Sequence, residues 1–349
     1  RRLAEAMLSK DLSPGERWKA AQSMAELGAK AGADAAKALA KTLLLKAPGQ
    51  PGADPYVRMG AASSIARLEG SARGVGAAAL AHALDEDADK MVRRRCAQAL
   101  GELGPDVAGE AGLLSLADAL ATDDDAAVRC HAAEALGKFP RRVGEGGISV
   151  LISALQVDKD EGVRGRAASG LGVQGYQIGE AGARALLGAQ EKDQSKAVRE
   201  SSERAVDALK EHCLLDIRDG AAHEYVRGQA VCMLSWLGEK EASEGGAGAL
   251  GVLVRALLRE DEVHVRRRAA EALAGLDVAG VACWSRRARA IAAAALARAA
   301  REDTDAYVQV KASEFLAEGV AAADAEAHEA ALEHLLSEAA AAAEAPTKE

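Results

Sequence analysis

Histidine, cysteine and acidic side chains are the types that supply nucleophiles, acid–base groups and metal ligands, and in this chain they meet in only a few adjacent pairs. Cys130-His131 and His212-Cys213 are two of them. Consecutive side chains on a helix diverge, so neither pair can work as nucleophile and base. His223-Glu224 and His328-Glu329 are His-Glu dipeptides, but Leu332 stands where a zinc-binding H-E-x-x-H helix needs its second histidine. Both read as solvated histidines on helix surfaces. Gly246-Ala247-Gly248-Ala249-Leu250-Gly251 matches the glycine pattern of a dinucleotide loop. The segment before it, Val226 to Leu237, has the apolar spacing of a helix and not of the strand such a loop must follow, so a loop entering a helix is expected instead. No catalytic residue, metal ligand or cofactor-binding residue is assigned, and no cofactor is expected.

Arginine offers a different chemistry, the recognition of acidic groups. From Arg255 to Arg301 there are ten arginines and five acids, a local charge of +5 in a chain of formal charge −9. The acidity is concentrated in the terminal segment that follows directly: residues 302–349 carry a net −10, which leaves +1 for residues 1–301. Five scattered cysteines, none in a C-x-x-C pair, suit a reducing compartment, cytoplasmic or the stroma or matrix of an organelle, and not secretion. No run approaches the roughly 18–20 apolar residues of a membrane span. The opening Arg1-Arg2-Leu3 reads as a mature or trimmed start.

The elements that must carry these side chains are helices. Alanine is 84 of 349 residues and aromatics are 3%, and a core of Ala and Leu requires backbones that approach closely. One phrase recurs along the chain: Tyr56-Val57-Arg58, Met91-Val92-Arg93, Ala127-Val128-Arg129, Gly162-Val163-Arg164, Ala197-Val198-Arg199, Tyr225-Val226-Arg227, His264-Val265-Arg266 and Tyr307-Val308-Gln309. Glu16-Arg17 opens a ninth, divergent copy, and successive frame positions, Glu16 and then each Val, lie 41, 35, 36, 35, 35, 28, 39 and 43 residues apart. A period near 35 is a helix pair with its turns. Small or apolar residues follow at the fourth, eighth and eleventh places, as in Val128, Ala132, Leu136 and Phe139, which is one face of a helix. Three places before the frame stand Asp54, Asp89, Asp125, Asp160 and Asp305, or Ser13 and Ser195, as N-caps; Gly28, Gly104, Gly137, Gly172 and Gly238 are expected to stop the helices. A shorter apolar stretch between copies, such as Leu113 to Leu120, supplies the first helix of each pair.

The phrase Asp-x-x-Val-Arg-x-x-Ala-Ala-x-Ala-Leu-x-x-Leu-Gly resembles the HEAT repeat, in the variety shared with phycobilisome-lyase-type repeats, over nearly the whole chain. The resemblance implies an all-α fold, a right-handed α-solenoid of about nine helix pairs. Second helices would line a concave surface, and the recurrent Asp and Arg would form a ladder between repeats. An armadillo-type superhelix is the alternative, although its three helices in about 42 residues exceed most of the copies. Residues 1–319 are read as the solenoid and 320–349 as an Ala/Glu-rich capping helix with an acidic, mobile tail. The 28-residue spacing and the replacement of the usual Ala pair by Ser201-Ser202 predict a kink or fused helix near residues 200–220.

Deoxyhypusine hydroxylase, a di-iron enzyme of HEAT type, is similar around Val128 to Gly137, but it places repeated His-Glu pairs in slots that here hold Met59-Gly60, Arg94-Arg95, Cys130-His131, Gly165-Arg166 and Arg267-Arg268. A non-enzymatic scaffold for protein partners, or a peripheral subunit of a larger assembly, is the function expected. Its contact residues are read as Arg94, Arg95, Gln98, Arg166, Arg204, Arg267 and Arg268, most of them two, three or six places after the frame, with Arg286, Arg287 and Arg289 from the basic stretch. The partner would offer an acidic segment. Nucleic acid is a weaker candidate for the 255–301 stretch, given a pI near 5.5 and few stacking aromatics. A lyase-like role toward a tetrapyrrole or its acceptor protein is the alternative from another class. Trp18, Trp236 and Trp284 are expected to be partly buried.

Overall fold

The structure, a computed structural model, describes residues 2–26, 32–45, 54–69, 72–140, 142–218, 222–237, 249–275, 286–317 and 331–337. All the regular elements among them are helices. In chain order these are α1 (Arg2–Met7) and α2 (Pro14–Glu26), α3 (Gly32–Leu43) and α4 (Pro55–Ala66), α5 (Ala72–Glu86) and α6 (Lys90–Leu103), α7 (Pro105–Thr122) and α8 (Ala126–Gly137), α9 (Gly144–Val157) and α10 (Glu161–Val173). They continue as α11 (Gly179–Lys192) and α12 (Lys196–Arg218), α13 (Glu224–Leu237), α14 (Ala249–Arg259) and α15 (Val263–Ala274), α16 (Arg286–Glu302) and α17 (Ala306–Ala317), with α18 over 331–337. None of the described helices is long and apolar enough to cross a membrane.

The chain forms two compact units. Unit 1 comprises Arg1–Ile178 and Gly188–Ala205; unit 2 comprises Gly179–Leu187 and Val206–Glu349. In unit 1 the second helices α2, α4, α6, α8 and α10 pack in succession, and the first helices α3, α5, α7 and α9 form a parallel succession behind them. In unit 2 the second helices are α13, α15 and α17, with α14 packed on α16. Two layers of this kind, each helix touching mainly its neighbours, are an all-α solenoid stack.

The repeated phrase explains the stack. Val57, Val92, Val128, Val163, Val198, Val265 and Val308 are fully buried, and so are Ala61, Cys96, Ala132, Ala167, Ala230, Ala269 and Ala312 four places on. Val226 is the half-buried exception. The eighth place brings Ile65, Leu100, Leu136, Leu171, Leu234 and Leu273, each removed from water; burying one such side chain contributes about 1.5–3 kcal/mol. The start of the second helix is fixed by its cap: Asp125 accepts from the Ala127 and Val128 N–H groups at 3.0 and 3.3 Å, and Asp54, Asp89, Asp160 and Asp305 act alike. Ser13 and Glu16 form a reciprocal capping box at α2.

The glycines correct one expectation. Gly104 ends α6 with φ 82°, as a stop should. Gly137 and Gly172 are the last and next-to-last residues of α8 and α10 rather than the residues after them, and there they let neighbouring second helices touch. A Cβ on Gly137 would meet the Gly170 Cα at 3.1 Å, and one on Gly172 would meet the Ala205 Cβ at 2.8 Å. Gly101 approaches Ala135 in the same way between α6 and α8. Gly28 and Gly238 lie outside the described residues.

α12 runs unbroken for 23 residues. At the end of unit 2, α18 buries Leu332, Leu335 and Leu336, and its Glu333 pairs with Arg298 of α16. The rest of the 320–349 segment, including Pro346 to Glu349, lies outside the described residues.

Candidate functional site

Two classes of arginine share each second helix, and they do different things. The first stands one place after the frame. Its guanidinium bridges two turns: Arg129 Nη1 donates to the Asp123 carbonyl of its own turn at 2.9 Å, while Nε and Nη2 clasp the Asp158 carboxylate of the next turn at 2.7 and 2.9 Å. Arg58 with Asp87, Arg93 with Asp123, Arg164 with Asp193 and Arg266 with Asp303 repeat the clasp, and Arg227 meets Glu260 at 3.3 Å. The carboxylate in this ladder is not the N-cap Asp but the acid two places before it. That acid also accepts the N–H of the cap residue, as Asp158 does from Asp160 at 2.9 Å. Burial pushes the Asp123 and Asp158 carboxyls up, but the arginines they face hold both below the ordinary range; the Arg164 hydrogen bond does the same for Asp193.

The second class, two, three or six places after the frame, lies on the outer face of the second helices. Arg94 is exposed and makes no hydrogen bond or ion pair among the described residues, whereas Arg95 donates to Ser63 Oγ at 2.6 Å and meets Glu102 at 3.2 Å. Gln98 is half-buried. Arg166 pairs with Glu134, and Arg204 turns back on its own helix to the Glu200 carbonyl and Ser201 Oγ, both at 3.2 Å. In unit 2, Arg267 clasps Asp305 at 2.7 and 2.9 Å, and Arg268 meets Glu271 at 2.9 Å. Arg289 is exposed, and the side chains of Arg286 and Arg287 lie outside the described residues. Three arginines of the basic stretch 255–301, Arg266, Arg267 and Arg298, thus meet acids beyond it in sequence: Asp303, Asp305 and Glu333. The Arg267 bond pulls the Asp305 carboxyl down to about 2.

Each unit carries a hollow on this face, lined by second-helix residues and the turn residues that flank them. In unit 1 it measures about 440 Å³ and lies among α8, α10 and α12. Its floor is the stripe Gly162, Gly165, Ser169 and Val173 of α10, and Glu134, Arg166 and Ser201 stand at its sides. In unit 2 a hollow of about 470 Å³ lies among α13, α15 and α17, bordered by Tyr225, His264, Arg267, Arg268, Glu271 and Tyr307. Tyr225 and Tyr307, 62% and 42% exposed, were not singled out from the sequence. Their signal was the place just before the frame, where Tyr56 also stands, 69% exposed.

The other chemical candidates resolve as follows. His131 is half-buried beside Glu134, and burial, then Arg94, keeps its imidazole below the ordinary range and so neutral at pH 7. His223 is exposed and accepts the Tyr225 N–H on Nδ1 at 3.2 Å, as a helix cap. Among the described residues no group of three or more His, Cys, Asp and Glu is placed to hold a metal ion. Gly246 and Gly248 of the glycine pattern lie outside the described residues, and Gly251 is buried in α14. Trp18 and Trp236 are half-buried, Trp18 over Gly60; Trp284 lies outside the described residues.

The family model for HEAT repeats matches residues 113–207, from within α7 to within α12, so that stretch is of the HEAT type. Among solved structures, an engineered protein is similar with 23% identity over 60% of this chain and 98% of that chain, at a TM-score of 0.46. A designed armadillo repeat protein in complex with the peptide (KR)4 follows at 19% identity, 60% and 98% coverage and a TM-score of 0.45. Human deoxyhypusine hydroxylase in complex with glycerol is 18% identical over 60% of this chain and 95% of that chain, with a TM-score of 0.32. No curated protein matches the chain.

Proposed function

We propose that this protein is a non-enzymatic interaction scaffold, or a peripheral subunit of a larger assembly, that holds a protein partner along the outer face of its second helices. One observation carries the reading. The frame Val, the small residue four places on and the ladder Arg repeat with little change, because they build the stack. Three and six places after the frame, by contrast, the pair of side chains changes from copy to copy, although Arg recurs at the third place and Glu at the sixth: Arg95 and Gln98, His131 and Glu134, Arg166 and Ser169, Ser201 and Arg204, Gln229 and Cys232, Arg268 and Glu271. A regular support with an irregular face suits recognition by many weak contacts in register. The internal pairing of Arg166, Arg267 and Arg268 favours a partner of mixed polarity over nucleic acid, whose binding rests on unpaired cations.

The test is co-purification from the native source with the wild-type chain and with a variant carrying Arg94→Glu and Arg204→Glu. A protein partner retained by the wild type and lost by the variant, at unchanged circular dichroism, is expected. A chain that is monomeric and partnerless there would sink the reading.

A further inference from the structure

Three second helices of unit 2 present ring side chains at one register. Tyr225 of α13, His264 of α15 and Tyr307 of α17 each occupy the second place of their helix, and each is exposed. The corresponding residues around the unit 1 hollow are Ala127, Gly162 and Ala197. The row therefore belongs to one hollow and is not a general property of the repeat.

The hollow's own bonds define what would fit. Its two arginines splay toward opposite neighbours. Arg267 leans on α17, clasping Asp305, with its guanidinium carbon 5.4 Å from the Tyr307 ring centroid. Arg268 leans toward α13, where the missing side chain of Gly228 makes room for its stem: a Cβ there would lie 3.3 Å from the Arg268 Cγ. Both guanidinium charges are met, by Asp305 and by Glu271. An acidic segment finds its counter-charges already engaged. Tyr307 is held from two sides, since its hydroxyl donates to Glu271 at 2.6 Å while Arg267 covers one face of the ring. A ring fixed before binding loses little rotamer freedom when a ligand lands on it. Gln229 and His264 make no hydrogen bond among the described residues, which leaves donors beside the rings for the carbonyl groups of an incoming chain.

An uncharged, extended chain with apolar rings and free carbonyls is a polyproline II segment. It repeats every three residues with a rise of about 3.1 Å each, so like positions recur about every 9.3 Å. Packed helices lie about 8–10 Å apart. Proline at every third place would therefore meet Tyr225, His264 and Tyr307 in turn. We propose that the hollow of unit 2 binds a proline-rich segment of the partner protein in the polyproline II conformation, its prolines seated against Tyr225 and Tyr307. This rests on the scaffold reading and names its ligand.

Fluorescence anisotropy with the full chain tests it. The probes are labelled peptides about nine residues long with neutral side chains: one with proline at every third place, one with alanine there and one with aspartate there. The proline peptide should bind at least about tenfold more tightly than either control, and Tyr225→Ala and Tyr307→Ala should each weaken it by about tenfold or more. Tyr307→Phe, which keeps the ring and loses the bond to Glu271, should weaken it less. Equal binding of the proline and alanine peptides, no binding of either, or tightest binding of the aspartate peptide overturns the proposal. The wild-type comparison stands even if a tyrosine variant misfolds. A native partner that is still lost on Arg94→Glu and Arg204→Glu would leave the scaffold reading intact after such a failure, whereas absence of any native partner would count against that reading alone.

Discussion

The arginine one place after the frame and the acid it clasps are the residues on which the stack depends most. Asp158 satisfies Arg129 from the preceding repeat and the N–H of Asp160 in its own turn, so its loss leaves a mostly buried guanidinium and a backbone donor without their acceptor. Asp158→Ala should cost about 3 kcal/mol, read as a lowered urea midpoint; a change below about 0.5 kcal/mol would show that the ladder is ornamental. Ser202 points the other way. It occupies the fully buried small-residue place, and its hydroxyl has no hydrogen-bond partner among the described residues. Ser202→Ala should therefore raise stability by about 1 kcal/mol, and a loss of stability in thermal unfolding would reveal a partner for that hydroxyl. The cap aspartates were legible from their fixed distance to the frame. The ladder acids were not, because Asp123-Asp124-Asp125 offers three carboxylates in a row, and only the direction of the turn decides which of them faces the neighbouring arginine.

At the scale of the element, second helices are set closer to one another than their leucines alone would place them. Gly101, Gly137 and Gly172 share one register and remove the side chain at the crossing. Gly172→Ala puts a methyl within 2.9 Å of the Ala205 backbone and should cost about 1–3 kcal/mol; Gly104→Ala, at a positive φ with open space around it, strains only the local backbone. A thermal scan in which Gly172→Ala is neutral would mean that the helices slide apart without penalty. Helix spans, caps and the buried stripe were readable because a period of 3.6 residues leaves its mark on every copy. The helical glycines were read as stops because glycine at a helix end and glycine at a helix crossing look the same in one dimension.

Across the whole molecule, charge is arranged by space and not by sequence position. Within residues 255–301, whose net charge is +5, Arg266, Arg267 and Arg298 reach acids that lie beyond the stretch in sequence, Asp303, Asp305 and Glu333. The Asp123, Asp158 and Asp193 carboxylates of the ladder titrate below their ordinary values, so their stabilisation is complete above about pH 4. It is lost as pH falls through the folded values, and the N-cap Asp305, clasped by Arg267 outside the ladder, is protonated only near 2. Unfolding free energy should stay level from neutral pH to about 5 and fall steeply below 4. Asp193→Asn should flatten that fall in acid titrations followed by circular dichroism, and an unchanged slope would remove the ladder from the acid transition. The ladder also dictates where the chain can gain or lose residues. From each turn acid to the arginine that grips its own carbonyl there are always six residues, in Asp87 to Arg93, Asp123 to Arg129, Asp158 to Arg164, Asp193 to Arg199 and Glu260 to Arg266. From an arginine to the next acid the count runs from 29 to 37. Insertions and deletions are therefore absorbed by the first helix and its loops, while a single residue added to the acidic turn would disengage two repeats at once.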